Sequence, residues 1–134
     1  MHQFAIGGKE TEFVDTFVHL GHVIRSNMND IGDIENQRCK FTGQTNNVSC
    51  YFGKLASDVK YSLFRSKCSS TYGSVLWYVG DKCVNKFCTE WSKGLRRVCS
   101  LPYDNCEIVT GLSGGMSILD ELCKPCLSFT AKCL

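Results

Sequence analysis

The sequence predicts an α+β fold that is mainly α-helical, in which an N-terminal β-hairpin or small sheet precedes a bundle of three to four helices. Residues 3–24 are rich in β-branched and aromatic side chains and contain glycine turns, which favours strands. Apolar residues recur at steps of three and four through most of the remaining chain, which favours helices. The chain has 134 residues, of which 43% are hydrophobic, so it has enough apolar surface for one core.

The N-terminal region is expected to form strands. Residues 4–6 lead into a Gly7-Gly8-Lys9 turn, and residues 11–14 return as the second strand of a hairpin. Residues 17–24 are expected to form one further strand, in which Gly21 marks a bulge or a close approach of the backbone. On a single strand His19 and His22 lie on opposite faces, which favours packing or surface roles over a metal site.

Four helices are expected downstream. The first runs from an N-cap at Asp30 to about residue 53, Ser57 or Asp58 caps the second, the third spans about 82–100, and the last covers about 118–132. The spacing of apolar residues assigns four aromatic side chains to core packing rather than to base stacking. The predicted core positions are Ile31, Ile34, Phe41, Val48 and Phe52, then Leu55, Val59, Leu63, Phe64, Tyr61, Tyr72 and Trp77, then Val84, Phe87, Trp91, Leu95 and Val98.

The ten cysteines are interpreted as free thiols. The sequence has no apolar run of membrane-spanning length and no secretory signal pattern, so we expect a reducing intracellular compartment, the nucleus or the cytoplasm, and no membrane contact. Zinc would need four converging ligands, and Cys123-x-x-Cys126 with Cys133 is the motif that suggests them, joined by Cys99 and Cys106 or by Cys83 and Cys88. Cys126 and Cys133 instead follow the apolar period of the last helix. Core thiols are therefore favoured, and neither a metal nor a cofactor is expected.

The net charge of +2 conceals an uneven distribution. Residues 1–37 contain two basic and six acidic residues, a net charge of −4. Residues 38–97 contain eleven basic and three acidic residues, a net charge of +8. A basic region of this kind is typical of contact with a phosphate backbone, and an ordinary solvated helix face is the alternative interpretation.

Several segments resemble, in order, the end of one polymerase family. Residues 17–24 (FVHLGHVI) are similar to an F-x-Y-L-G-x-x-I strand, and residues 33–38 (DIENQR) to the start of the helix after it. Residues 60–68 (KYSLFRSKC) are similar to a K-x-x-L-(F/Y)-x-(S/A)-x-(V/C) helix, and Trp77 to the L-x-W that follows. Residues 94–102 (GLRRVCSLP) are similar to an A-L-R-R-(I/L)-x-x-L-P segment, and residues 118–123 (ILDELC) to the next helix. Together they resemble the C-terminal part of LINE-type (non-LTR retrotransposon) reverse transcriptases.

The resemblance implies that residues 1–25 correspond to the end of the palm, residues 26–80 to the thumb, and residues 81–134 to the helical segment after the thumb. Catalysis in this family needs carboxylates that hold two metal ions, including an adjacent Asp-Asp pair. This sequence has no such pair, and its only adjacent acids are Asp120-Glu121 in the last expected helix. We therefore expect no catalytic residues and no enzyme activity from the chain by itself, although the resemblance implies descent from an RNA-directed DNA polymerase.

The thumb of these enzymes lies against the template–primer duplex, so the resemblance implies sequence-independent binding of RNA or an RNA–DNA duplex. Lys60 and Lys67 are seven residues apart and are expected to share one helix face, and Lys54 and Arg65 another. The candidate phosphate contacts are Lys60, Lys67, Lys93, Arg96 and Arg97, with Lys54, Arg65 and Lys86 as secondary candidates.

Other interpretations stay open at this point. One is a scaffold or partner-binding module that associates with itself or with a reverse transcriptase palm through exposed apolar surfaces. Another is a metal-binding domain built on the cysteines. The chain is also compatible with a relic that has no selected function, or with a truncated gene for an active enzyme.

Overall fold

A computed structural model describes residues 5–68, 73–103, 111, 114 and 117–133 of the chain. The predicted α+β, mainly α-helical fold is confirmed, and α1, α3 and α4 begin and end within about a residue of their predicted bounds. The elements in chain order are β1 (Ala5–Ile6), β2 (Lys9–Glu10), β3 (Thr16–His19), β4 (His22–Arg25), α1 (Ile31–Phe52), α2 (Ser57–Lys67), the 3₁₀ turn η1 (Ser74–Leu76), α3 (Lys82–Cys99) and α4 (Ile118–Cys133).

The first hairpin reverses earlier than the sequence predicts. β1 pairs antiparallel with β2, with Ile6 opposite Lys9, so that Gly7 and Gly8 alone form the turn. The prediction that residues 11–14 form the returning strand is wrong, because a two-residue turn already starts the return at Lys9.

The prediction of one strand over residues 17–24 is also wrong, because the chain reverses within it. Leu20 and Gly21 have φ values of 48° and 83°, and β3 pairs antiparallel with β4 on either side of them. A tight reversal needs positive φ, which glycine adopts readily, but a glycine in a strand-like sequence is equally compatible with a bulge. His19 lies directly opposite His22, so the two rings are cross-strand neighbours and not residues on opposite faces.

Hairpin β3–β4 is attached to α1 through the carbonyl oxygen of Gly21. This oxygen accepts hydrogen bonds from Asn36 Nδ2 at 3.1 Å, Gln37 Nε2 at 3.2 Å and Lys40 Nζ at 2.7 Å. Three donors from the first half of α1 therefore converge on the hairpin turn.

A chain of aromatic rings joins the helices in the core. Trp77 packs edge-on against Phe87 with 5.6 Å between ring centroids, Phe87 lies 5.8 Å from Phe41, Phe41 lies 5.9 Å from Phe64, and Phe64 lies 5.3 Å from Trp91. Pairs at these separations contribute beyond the area that they bury. The prediction that Trp77 and Trp91 pack in the core is confirmed, because both are buried.

Helix α3 lies directly against α1 because Gly94 has no side chain. A Cβ atom at residue 94 would lie 2.8 Å from Cζ of Phe41 and 3.2 Å from Cγ2 of Thr45. Such contacts are too short for the backbones to keep this spacing. The close contact turns the opposite face of α3 outwards.

Helix α2 departs from its predicted form. Its N-cap is Ala56 rather than Ser57 or Asp58. Phe64 is buried as predicted, but Leu55 and Val59 are exposed, so the predicted buried stripe is wrong at both. Tyr61 is partly buried and packs against the core, as predicted, and Tyr72 lies outside the described residues.

The buried carboxylate of Asp33 joins three segments of the chain. It accepts hydrogen bonds from the backbone N–H of Val23 at 2.9 Å and from Nε1 of Trp77 at 2.8 Å. His22 Nδ1 lies 2.9 Å from Oδ2 of the same carboxylate, so the Nδ1–H tautomer donates to it. Strand β4, α1 and Trp77 are therefore connected through one side chain.

Opposing effects act on the pKa of Asp33. Burial raises it, but the hydrogen bonds from His22, Trp77 and Val23 together outweigh burial, so the pKa lies below its ordinary value of 3.8. A lowered pKa in the folded chain means that the ionised carboxylate stabilises the fold above the ordinary pKa. This contribution is lost as the pH falls through the folded-state pKa.

We expect the substitution Asp33→Asn to lower the free energy of unfolding at neutral pH by about 2 kcal/mol, because it removes a charge that three donors satisfy. The difference from wild type should shrink as the pH falls below the ordinary pKa of 3.8, where the unfolded chain takes up a proton first, and further as the pH falls through the lowered pKa of the folded chain. Urea unfolding at neutral and acidic pH measures both effects.

The exposed Asp58→Asn provides the control for this prediction. A loss of unfolding free energy in Asp33→Asn that does not change with pH would contradict the stabilising role of the ionised carboxylate.

Candidate nucleic-acid interface

The outward face of α3 is a row of cations. Val84, Phe87, Trp91 and Leu95 are buried on the opposite face, at steps of three and four residues. Five basic residues and one acidic residue, Glu90, fall within the eighteen residues of the helix. The exposed side therefore carries a net charge of +4. Its cations, here called the α3 basic face, are Lys82, Lys86, Lys93, Arg96 and Arg97.

Local hydrogen bonds define both ends of this helix. Asp81 is the N-cap, and its Oδ1 accepts from the backbone N–H of Cys83 at 2.7 Å. At the other end Ser100 adopts a left-handed conformation with φ 55°, and the N–H of Leu101 donates to the carbonyl oxygen of Arg96 at 2.9 Å. Both ends of the helix are therefore fixed, and its basic residues, from Lys82 to Arg97, extend over about 22 Å of the helix axis.

Two shallow grooves follow the α3 basic face. The first, of about 390 Å³, lies between α1 and α3 and also contains Glu35 and Arg38 of α1. The second, of about 420 Å³, lies at the end of α3 and is lined by Lys93, Arg96, Arg97, Ser100, Leu101 and Tyr103. Lys93 belongs to both grooves, so the two form one continuous cationic surface.

Two cations that line these grooves, Lys93 and Arg38, are paired with acidic side chains, which reduces the positive charge of the surface. Lys93 Nζ lies 3.0 Å from Glu90 Oε1, and Arg38 pairs with Glu35 at 2.8 Å in the same groove. Both pairs are substantially exposed, so each contributes little to stability. Lys82 and Lys86 form no ion pair within the described ranges of the chain.

Arg97 and Arg96 each contact a neutral side chain. A guanidinium nitrogen of Arg97 donates to Oδ1 of Asn46 on α1 at 2.8 Å. The guanidinium carbon of Arg96 lies 5.7 Å from the ring centroid of Tyr103, a cation–π contact. Neither of these two contacts brings a negative charge to the guanidinium groups.

The α2 candidates do not form a matching basic face. Lys60 is only 6% exposed, and its Nζ donates to Oγ of Ser100 at 3.3 Å. Lys60 is therefore wrong as a candidate phosphate contact, although it lies seven residues before Lys67 in the same helix, because its stem packs inwards and its ammonium group binds at the end of α3. Lys67 is exposed at the end of α2 and stays a candidate.

The prediction that the secondary candidates Lys54 and Arg65 share a helix face is wrong, because Lys54 lies outside α2. Lys54 precedes α2 and lies exposed in the turn after α1. Arg65 forms an ion pair with Glu121 of α4, and this hydrogen bond is the main cause of a raised Arg65 pKa. The third secondary candidate, Lys86, lies exposed on the α3 basic face.

Sequence reasoning missed Tyr103, which is 69% exposed at the end of the α3 basic face. In the sequence, Tyr103 directly follows Pro102 and lies close to Arg96 and Arg97. This proximity of an aromatic residue to two arginines is the signal by which it could have been found.

The cysteines in the described part of the chain are free thiols, and burial is the main cause of a raised pKa at Cys68, Cys83, Cys88 and Cys99. Cys126 is half-buried, and its Sγ lies 3.2 Å from the carbonyl oxygen of Val75. Within the described ranges no group of three or more His, Cys, Asp or Glu side chains is placed to hold a metal ion. Cys106 and the side chain of Cys133 lie outside those ranges.

A second surface is apolar. A groove of about 560 Å³ lies between hairpin β3–β4, η1 and α4, and its walls include Leu20, Ile24, Leu76 and Pro125, with His19 and His22 beside them. Leu20, Ile24 and the neighbouring Phe17 are each at least half exposed. Exposed apolar clusters of this kind are typical of association sites.

Comparison of the chain with protein-family models, curated proteins and solved structures gives no match. The function is therefore argued from the site itself. Among the described residues, no helix has both the length and the apolar character that crossing a membrane requires.

Proposed function

We propose that this chain binds RNA or an RNA–DNA duplex without sequence preference, through the α3 basic face, and that it derives from the C-terminal part of a LINE-type reverse transcriptase. The observation that carries the proposal is the placement of five cations and one acid on the side of α3 that faces away from the core. A basic stripe on one helix face is the electrostatic footprint of a polyanion-binding protein.

The dimensions and chemistry of the face suit a nucleic-acid backbone. Lys82 and Arg97 lie about 22 Å apart along the helix, which corresponds to about six base-pair steps of a duplex. Lysine and arginine side chains bind phosphate oxygens without reading the base sequence. Binding of this type is weakened strongly by salt, because each contact releases condensed counterions.

Under this proposal the chain by itself does not catalyse polymerisation. The only two acidic residues that are consecutive in its sequence, Asp120 and Glu121, have structural roles. Asp120 Oδ2 accepts hydrogen bonds from the backbone N–H of Ser117 at 2.9 Å and from Ser117 Oγ at 2.8 Å, and these bonds lower the pKa of Asp120. Because Glu121 pairs with Arg65, both acids serve the N-terminus and packing of α4 rather than a metal pair.

The proposal places the chain in the nucleus or the cytoplasm. Nucleic acid is present in both compartments, and both are reducing. The free thiols of the described cysteines are consistent with either.

We expect the double substitution Lys86→Gln and Lys93→Gln to weaken binding to an RNA–DNA duplex by about tenfold near 50 mM salt and to reduce the slope of log affinity against log salt by about two, because two phosphate contacts are lost. Fluorescence anisotropy with a labelled RNA–DNA duplex across a salt series measures both quantities.

The matched control for this prediction is Lys9→Gln with Lys132→Gln, which removes the same charge from exposed residues outside α3. Equal weakening by both double variants would assign the effect to net charge alone, and no measurable affinity at about 50 mM salt would refute the proposal.

The substitution Glu90→Gln is expected to strengthen binding, because it removes the one acid of α3 and releases Lys93 from its ion pair. Affinity near 50 mM salt should rise by about two- to fivefold, and the salt slope should become steeper. The exposed Glu12→Gln removes the same charge from a residue far from α3 in sequence and serves as the control. Unchanged affinity in Glu90→Gln would show that Lys93 does not contact the nucleic acid.

Protein association is a second candidate function, favoured by the apolar groove beside hairpin β3–β4. The partner in this case is a second copy of the chain or the palm of a reverse transcriptase. Size-exclusion chromatography over a range of concentrations is expected to show self-association if the partner is a second copy, and Phe17→Thr should abolish it by removing an exposed apolar side chain. A monomer that does not respond to concentration would contradict self-association.

A further inference from the structure

Tyr103 is an aromatic ring placed within the cationic surface. It lines the groove at the end of α3 together with Lys93, Arg96 and Arg97. The ring is 69% exposed although the Arg96 guanidinium group lies over it. Among the described residues, the one ring contact of Tyr103 is with the Arg96 guanidinium group, and Lys93 and Arg97 line the same groove.

Other exposed tyrosines of the described chain lack this setting. Tyr51 and Tyr78 are 79% and 75% exposed, but neither lines a groove of the α3 basic face. The ring of Tyr78 instead lies over the backbone of Gly80, where an added Cβ would be 2.9 Å from it. The combination of an exposed ring with adjacent cations therefore distinguishes Tyr103.

We propose that Tyr103 is a stacking platform for one unpaired nucleobase, so that the preferred ligand is a duplex that carries a single-stranded extension rather than a blunt duplex. This inference rests on the proposed binding of nucleic acid by the α3 basic face. Lys93 and Arg97 hold the backbone phosphates, and the base beside them lies on the ring of Tyr103.

The physical chemistry of stacking selects an unpaired base. Bases within a duplex are covered on both faces by their neighbours, whereas an unpaired base offers a free π-face to an aromatic side chain. Such stacking tolerates any base, which agrees with binding that does not depend on sequence. The Arg96 guanidinium group adds a cation–π contact that holds the ring near the phosphate-binding cations.

Three RNA–DNA duplexes test the inference: one blunt, one with a short unpaired extension, and one with an abasic extension of the same length and charge. The abasic extension keeps the phosphates and removes the bases, so its comparison with the natural extension isolates stacking. The wild-type chain should bind the natural extension at least about fivefold more tightly than the abasic one. Its affinity for the blunt duplex should follow the salt dependence expected of phosphate contacts.

Three variants assign the preference to the ring. Tyr103→Leu is expected to bind both extensions equally, and its affinity for the blunt duplex measures separately any effect of the lost Arg96 contact on phosphate binding. Tyr103→Phe keeps the aromatic face and should keep the preference, and Tyr51→Leu, at a comparably exposed tyrosine, should leave it unchanged. Circular dichroism of each variant verifies that the fold is retained.

The outcomes separate this inference from the function on which it rests. Equal binding of natural and abasic extensions, together with salt-dependent binding of the blunt duplex, would overturn the stacking role and leave the proposed function in place. A preference that survives Tyr103→Leu would overturn the assignment to this residue. Absence of binding to all three duplexes would refute the proposed function itself.

Discussion

The arrangement of the molecule depends on the hydrogen bonds to the carboxylate of Asp33. This group joins β4, the first turn of α1 and the indole of Trp77. Trp77 is in turn the first of the aromatic rings that continue through Phe87 and Phe41. A buried carboxylate is costly unless donors surround it, so the site is satisfied only when all three segments are in place. The position of α3 against α1, and with it the direction of the α3 basic face, follows from the same packing.

The cations in the middle of the chain have different settings in the fold. Some cations hold the helices together: Lys60 reaches the end of α3, Arg65 pairs with α4, and Lys40 binds the turn of hairpin β3–β4. Others lie on the outer face of α3, where they are available to an anion. The net charge of +8 over residues 38–97 therefore overstates the positive charge that α3 presents on its outer face.

The elements that could be predicted from the sequence are those with a strong periodic signal. In α3 the apolar residues recur without interruption, so both its bounds and the side that carries Lys86, Lys93 and Arg97 were predictable. Helix α2 has only eleven residues and few apolar positions, and the burial of Lys60 depends on Ser100, forty residues away. The reversal at Leu20-Gly21 and the setting of Tyr103 likewise depend on contacts that local sequence does not encode. The site was thus predictable on α3 and not on α2.

The attachment of the hairpin turn to α1 couples the stability of the two elements. The donors to the Gly21 carbonyl oxygen come from Asn36, Gln37 and Lys40, and they converge only while this part of α1 is helical. Local unfolding of that segment therefore releases hairpin β3–β4 as well. The contact of α1 with Gly94 of α3 is made by Phe41 and Thr45, which follow the hairpin-binding residues in α1. Because the hairpin also supplies the His22 and Val23 donors to the buried carboxylate of Asp33, its docking in turn stabilises the first turn of α1.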